Sequence, residues 1–374
     1  MKKIVFLTGT RADFGKLKSL IKITQESDSF ETHIFATGMH MIQKYGKTVN
    51  EIYKSGFTNI FEFENHDEIE RMDINLAKTI SGFSNYIANI KPDLIVIHGD
   101  RVEAMAGAIV GSLNNILVAH IEGGELSGTI DELIRHSISK LAHIHLVSNN
   151  EAKQRLVQMG ENKENVFIIG SPDLDLMNSK DLPSLEFVKK YYNIEFDKYG
   201  ILIFHPVTTE VENLSSQTKI LIDSLVQSEL KYLVIFPNND LGSKIIIDQY
   251  EELNKNSNFK IFPSLRFEYF LTILKNSKFI VGNSSAGLRE APYYNIPTIN
   301  IGNRQQNRVQ SKNIINIDFN TNSISNAINN VLNIKRHIQD VDFGNGESDI
   351  TFYKLLKSDA LWKTKHQKQF LDIR

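Results

Sequence analysis

Leu94-Ile95-Val96-Ile97-His98-Gly99-Asp100-Arg101 is the stretch on which the reading of this chain turns. Four apolar, mostly β-branched residues run without alternation and stop at a histidine, a glycine, an acid and a base. A strand that is apolar on both faces needs cover on both sides, which a parallel sheet flanked by helices provides. The polar residues that end it then stand at the carboxyl edge, where open α/β sheets bind ligands.

The pattern recurs along the 374 residues. Similar runs fall at 4–7, 33–36, 116–119, 144–147 and 166–169. After Gly170-Ser171-Pro172 the series restarts at 201–204, 232–236, 260–262, 279–281, 298–301 and 314–317. Polar-faced stretches of helical length lie between these runs. Such a βαβ series in two halves predicts an α/β chain of two Rossmann-like lobes, their parallel sheets facing an interdomain cleft. The expected boundaries are 1–172 and 173–348, with 349–374 a helical segment that returns to the first lobe. The length suits two domains of roughly 100 to 200 residues each.

Hydrophobic residues make up 41% and charged residues 23%, as in ordinary globular proteins. A formal charge of -2, with Lys and Arg interspersed among Asp and Glu, builds no field for nucleic acid or an anionic membrane, so neither is an expected partner. The absence of cysteine excludes thiol nucleophiles, disulfides and Cys-based zinc sites, and a cytoplasmic location is the expectation. The apolar run after Met1-Lys2-Lys3 is shorter than the roughly 7 to 15 residues of a signal-peptide core and reads as a first strand. No stretch reaches the roughly 18 apolar residues that span a bilayer.

The chemically loaded residues follow the runs. Gly282-Asn283-Ser284-Ser285-Ala286-Gly287-Leu288-Arg289-Glu290 offers amides and hydroxyls after a strand, with a helix expected to start within 286–290. That combination suits a diphosphate. Ser284 and Ser285 fit simple N-caps equally well. Glu290 suits ribose hydroxyls or, alternatively, the helix dipole. Thr8-Gly9-Thr10-Arg11-Ala12-Asp13 resembles a phosphate loop without the spacing of either nucleotide fingerprint. Arg11 there fits a phosphate or a surface ion pair.

Asp100 reads as a catalytic carboxylate or as a helix N-cap. Asp131 and Arg135 stand four apart on an expected helix and can fix one another, as can Glu132 and His136. A solvated helix face accounts for the second pair. It does not account for Glu122, which follows a buried strand. His205, before Pro206, suits an acid, a base, a phosphate donor or a structural histidine. Asn238-Asn239-Asp240 and Pro263-Ser264-Leu265-Arg266-Phe267 end strands where a base ring could rest; Phe267 and Phe270 also fit a core. The histidines have no HExxH-type spacing, so no metal is expected, and no GxSxG elbow supports a hydrolase triad.

Taken together, Gly9-Thr10-Arg11-Ala12-Asp13, His98-Gly99-Asp100-Arg101, Ile121-Glu122-Gly123-Gly124-Glu125-Leu126-Ser127-Gly128-Thr129-Ile130-Asp131, Arg135-His136, His205-Pro206-Val207-Thr208-Thr209, residues 282–290 and Arg304-Gln305 resemble the hydrolysing UDP-N-acetylglucosamine 2-epimerases. These are bacterial sialic-acid pathway enzymes and the epimerase lobe of a bifunctional mammalian protein, and the match runs over nearly the whole chain. The resemblance implies a GT-B type fold and conversion of UDP-GlcNAc and water to N-acetylmannosamine and UDP, through a glycal. It implies no cofactor, a nucleotide-sugar as partner, and a homodimer or homotetramer. Asp100, Glu122, Asp131 and His205 become the expected catalytic residues. Arg11, Arg101, Ser284, Ser285, Glu290 and Arg304 are implied to hold UDP. Lys16, Arg135, Asn239, Leu265, Phe270 and Asn283 complete the expected substrate contacts. Non-hydrolysing relatives carry a Glu-Ala-Gly-Leu-Arg type sequence where Glu122-Gly123-Gly124-Glu125 stands here, which favours the hydrolysing branch. A diacetamido-trideoxyhexose on UDP or GDP, as in the legionaminic acid route, and a GT-B glycosyltransferase remain the alternatives.

Overall fold

The computed structural model describes residues 1–66, 71–127, 129–177, 182–305, 311–333, 343–369 and 371–372. The chain divides into two units. Met1–Glu125, Asp131–Ser179 and Asp342–Arg374 form the first, and Leu126–Ile130 with Lys180–Val341 the second.

Seven strands build the first sheet: β1 (Lys2–Thr8), β2 (Phe30–Ala36), β3 (Ile60–Glu62), β4 (Leu94–His98), β5 (Leu117–Ile121), β6 (Ile144–Val147) and β7 (Val166–Ile168). Their order is β3-β2-β1-β4-β5-β6-β7, with every neighbouring pair parallel. The second sheet holds β8 (Gly200–Ile203), β9 (Tyr232–Ile235), β10 (Phe259–Phe262), β11 (Ile280–Gly282), β12 (Thr298–Ile301) and β13 (Ile314–Ile317). It is also parallel throughout, in the order β10-β9-β8-β11-β12-β13. Both are doubly wound Rossmann sheets, as the unalternating apolar runs require. Each has a switch point where the strand order reverses, β1/β4 in the first and β8/β11 in the second, and the loops leaving these strands diverge to open a crevice at their carboxyl ends.

Each of the twelve apolar runs is a strand, with ends displaced by a few residues. β2 begins earlier than its apolar run because Glu31 and Thr32 still pair in register with Lys3 and Ile4. β3 has no counterpart in the sequence reading. As an edge strand it is only partly covered, Phe61 remaining 42% exposed, so it needs no continuous apolar run.

The units divide at 179/180, later than 172/173, because the helix Pro172–Met177 is fastened to the first unit. Asp173 pairs with Lys16 at 3.0 Å, and Asp175 accepts from Ser19 Oγ at 2.9 Å. Asp175 also accepts from the backbone N–H groups of Ser348 and Asp349, at 2.9 and 3.1 Å, and so caps the helix Ser348–Lys357 from outside that helix. Phe352 of this helix meets Phe6 edge to face at 6.2 Å, and Leu356 and Leu361 join the same core. Among the described residues no helix is long and apolar enough to cross a membrane.

Candidate active site

In the first unit the acids gather at the carboxyl ends of β4 and β5. The residue at the N-cap of the helix Val102–Leu113 is Arg101, not Asp100, and it makes no side-chain cap. The carboxylate of Asp100 instead pairs with the guanidinium of Arg135. Arg135 is only 1% exposed, and its Nη1 also donates to the carbonyl of Glu125 at 3.3 Å. Burial works against its charge, but Asp100, Glu125, Glu122 and Asp131 around it hold its pKa above the usual arginine value. Asp131 lies in the first turn of the helix Ile130–Leu141 and is buried. The expected Asp131–Arg135 partnership is therefore one part of a larger cluster in which Asp100 is the direct partner. Glu132 and His136 do approach each other, at 3.6 Å on the same helix.

Glu122 is the most constrained of the acids. Its backbone lies in the left-handed region at φ 63°, a conformation that costs a non-glycine residue about 1 to 3 kcal/mol and must be held by its surroundings. Its N–H donates to the carbonyl of Leu146 at 3.0 Å, and Ser171 Oγ donates to Oε1 at 2.9 Å. His98 Nε2 stands 3.2 Å from Oε2, off the line of a straight hydrogen bond. Glu125, also buried, accepts from Ser148 Oγ at 2.9 Å.

His120, within β5, ties the pieces together. Its Nε2 meets the carbonyl of Gly99 at 2.8 Å and its Nδ1 meets Ser139 Oγ at 3.1 Å. Burial brings its pKa down to about 3. The ring is thus neutral, with its proton on Nε2 donated to the carbonyl and Nδ1 accepting from the serine. One buried imidazole joins the turn that carries Asp100 to the helix that carries Asp131 and Arg135.

The loop after β1, which resembles a phosphate loop without its spacing, turns its amides inward. Thr10 caps the helix Arg11–Gln25 in a capping box with Asp13. The Asp13 carboxylate takes the N–H groups of Gly9 and Thr10, both at 3.0 Å, and the Thr8 hydroxyl at 2.5 Å. Those amides are committed to an internal anion, so a phosphate contact here falls to the Arg11 side chain. Lys16 is likewise engaged with Asp173 in a buried pair. Arg101 Nε lies 3.8 Å from the buried Glu103.

In the second unit, His205 follows β8 and residues 283–290 follow β11, so they flank the switch point. Asn283 clamps His205 by accepting from its N–H at 2.7 Å and donating to its carbonyl at 2.8 Å. The N–H of Asn238 donates to His205 Nδ1 at 3.0 Å, which leaves the proton of the neutral ring on Nε2. Arg304 and Gln305 both donate to the carbonyl of Asn283, at 3.3 and 3.0 Å. Asn239, Leu265 and Phe270 are buried after β9 and β10, and Phe270 stacks on Phe267 at 6.4 Å, so its core role is real.

A helix does start within 286–290, but only at Glu290, and it is broken off from the turn before it. A 3-10 turn, Ser285–Gly287, is followed by a four-residue helix, Glu290–Tyr293, with Glu290 its first residue. Pro292 explains the break, because its ring is tolerated only in a first helical turn. Without a long helix the macrodipole contributes little, and an anion here relies on hydroxyls and backbone N–H groups. Ser284 acts as the cap of the 3-10 turn, accepting from Ala286 N–H at 3.3 Å.

Gly282 is required by contact as well as by conformation. At φ 129°, a Cβ on it would stand 1.9 Å from the Ile203 carbonyl oxygen in the neighbouring strand. Gly282→Ala is expected to destabilise the fold by about 1 to 3 kcal/mol, the usual range for overpacking, as measured by urea unfolding. An unchanged midpoint would mean that β8 and β11 can separate there at no cost.

Ser171 and Ser148 carry structural parts of the site that the sequence reading gave no role of their own, and His98 and His120, considered there only as metal ligands, meet Glu122 and the Gly99 carbonyl instead. The signal for Ser171 was its position directly after a strand run, read there only as a boundary. His120 sits inside an apolar run, where nothing separates a functional histidine from a core one.

The family model described as UDP-N-acetylglucosamine 2-epimerase matches residues 22–357. The chain is 46% identical over 376 residues, covering all of both chains, to the UDP-N-acetylglucosamine 2-epimerase of Neisseria meningitidis serogroup B. It is 34% identical over 366 residues to the hydrolysing UDP-N,N'-diacetylbacillosamine 2-epimerase of Legionella pneumophila, covering 96% of this chain and 97% of that one. Its fold is that of the Methanocaldococcus jannaschii UDP-GlcNAc 2-epimerase solved with UDP-GlcNAc and UDP, at a TM-score of 0.82 and 22% identity over 95% of this chain and 99% of that one. Two Rossmann-like lobes of the GT-B type, acids at one switch point and a clamped histidine beside a Gly-Asn-Ser-Ser turn at the other, thus agree with a match over nearly the whole length: this chain belongs to the UDP-N-acetylglucosamine 2-epimerase family.

Proposed function

We propose that the protein is a hydrolysing UDP-N-acetylglucosamine 2-epimerase, converting UDP-GlcNAc and water to N-acetylmannosamine and UDP and so feeding sialic acid synthesis. The observation that carries this reading is the group of four carboxylates around the buried Arg135. Hydrolysis asks more of a site than epimerisation alone, since water has to be brought to C1. Glu125 supplies a further buried carboxylate where the non-hydrolysing sequence type has leucine.

The C2 hydrogen of the sugar is not next to a carbonyl, so the C1–O bond has to lead. As that bond breaks, its electron pair goes to the diphosphate, which His205 Nε2–H, Arg304, Arg101, Arg11 and the Ser284-Ser285 turn are suited to receive. Positive character at C1 acidifies C2, a carboxylate takes the proton, and C1=C2 forms. A proton then returns to C2 from the opposite face while water adds to C1. Two faces need two acid/base groups, and we assign these transfers to Asp100, Glu122 and Asp131. Asn239, Leu265 and Phe270 are assigned to the base, Glu290 to the ribose, and Lys16 and Asn283 to supporting these contacts.

The test is incubation in D₂O with UDP-GlcNAc and with UDP- and GDP-linked diacetamido-trideoxyhexoses, followed by NMR of the products. The expected result is equimolar UDP and N-acetylmannosamine bearing deuterium at C2. Release of sugar without that deuterium removes the elimination, interconversion without UDP release removes hydrolysis, and a requirement for an acceptor makes the protein a glycosyltransferase. Preference for a diacetamido substrate would give the second reading, for which the Legionella relative is the support.

A further inference from the structure

A second charged cluster lies at the other end of the helix that carries Asp131 and Arg135. Lys368 Nζ reaches the carbonyl oxygens of Ser139, Lys140 and Ala142, at 3.1, 2.9 and 2.6 Å, and Glu161 Oε2 at 2.6 Å. These carbonyls belong to the last turn of Ile130–Leu141 and the residue just past it, where helix oxygens lack partners of their own. An ammonium with three donors inside an oxygen cage is a bound cation in all but its tether.

Glu161 is held in turn by Lys140 Nζ at 2.7 Å and His145 Nε2 at 2.9 Å. Burial pushes its carboxyl up, but the hydrogen bonds from His145, Lys140 and Lys368 outweigh it and hold the pKa at about 2. Nearby, the N–H of Val118 donates to His143 Nδ1 at 3.1 Å, so the His143 Nε2 proton is donated to the carbonyl of His366 at 3.0 Å. The last stretch of chain is thereby fastened to this helix and to the residues that lead from it into β6.

We propose that Lys368 is a positioning residue for catalysis: by binding the last carbonyls of this helix it sets where Asp131, Arg135 and, through Ser139 and His120, Asp100 stand. The inference rests on the function proposed above. Continuous i→i−4 hydrogen bonds join the turns of a helix that rises only about 1.5 Å per residue, so a shift of its last turn is felt at its first. Ser139 contributes both a carbonyl to Lys368 and a hydroxyl to His120, and His120 holds the carbonyl beside Asp100. One turn therefore adjusts both groups of acids.

The wild-type protein is assayed first with UDP-GlcNAc, and absence of turnover there overturns the functional reading irrespective of any variant. Given turnover, Lys368→Ala is expected to lower kcat at least about tenfold with KM within about twofold, since small displacements of catalytic groups have large rate effects. Methylammonium or ethylammonium should restore kcat saturably by refilling the cage. Lys368→Met, which occupies the space without charge, should be as slow and should not respond to amine. Thermal melts accompany every assay. If the alanine variant folds only with amine, it is purified in amine and diluted out of it for the assay. Wild-type kcat in Lys368→Ala, or amine that restores the melting temperature without restoring kcat, overturns the proposal.

Discussion

Glu122→Gln is expected to lower kcat by about 10²- to 10⁴-fold, the range for loss of a general acid or base, while UDP still binds. The replacement is nearly isosteric. The amide oxygen can still accept from Ser171 Oγ, and the left-handed backbone is no more strained for glutamine than for glutamate. What is removed is the ability to take a proton. UDP release gives kcat, and titration calorimetry with UDP gives the binding that should persist, because Glu122 is not among the expected diphosphate contacts. A variant that turns over near the wild-type rate would take the base role away from Glu122 and leave it to Asp100 or Asp131.

Arg135→Met should show the largest loss of stability, about 3 to 5 kcal/mol, because it removes one partner of a buried ion pair and leaves charge without compensation. Methionine fills comparable space, so the loss reports electrostatics rather than a cavity. Asp100 loses its direct partner, and Glu125, Glu122 and Asp131 lose the cation among them. Adding Asp100→Asn to Arg135→Met should recover part of the stability without recovering activity, since the double variant buries less unpaired charge. Urea unfolding measures both. An unchanged midpoint for the single variant would mean that water reaches the cluster and screens it.

Much of the fold was legible because a buried parallel strand has to be apolar on both faces, which marks it in sequence whatever its neighbours are. β3 was not legible because an edge strand is free of that demand. The helix after Ser285 starts only at Glu290 and is short because of Pro292, a residue whose local rule was available from the sequence. The fate of the loop after β1 was not available. Whether the Gly9 and Thr10 amides face a ligand or a side chain depends on where Asp13 turns, and a capping box looks the same in sequence as a phosphate loop ending in an acid.

By itself, then, the sequence determined two parallel sheets in a βαβ series and the strand ends that bear the chemistry, because periodicity and strand-end position are local properties of a chain. Tertiary structure decided who partners whom. Arg135 has an acid four residues away on its own helix, yet its direct partner is Asp100, 35 residues earlier. Ser171 reaches Glu122 across 49 positions, and Lys368 caps a helix more than 220 residues before it. Such pairings depend on which strands lie side by side and which chain end returns, and the interactions that select them exist only once the sheets have formed.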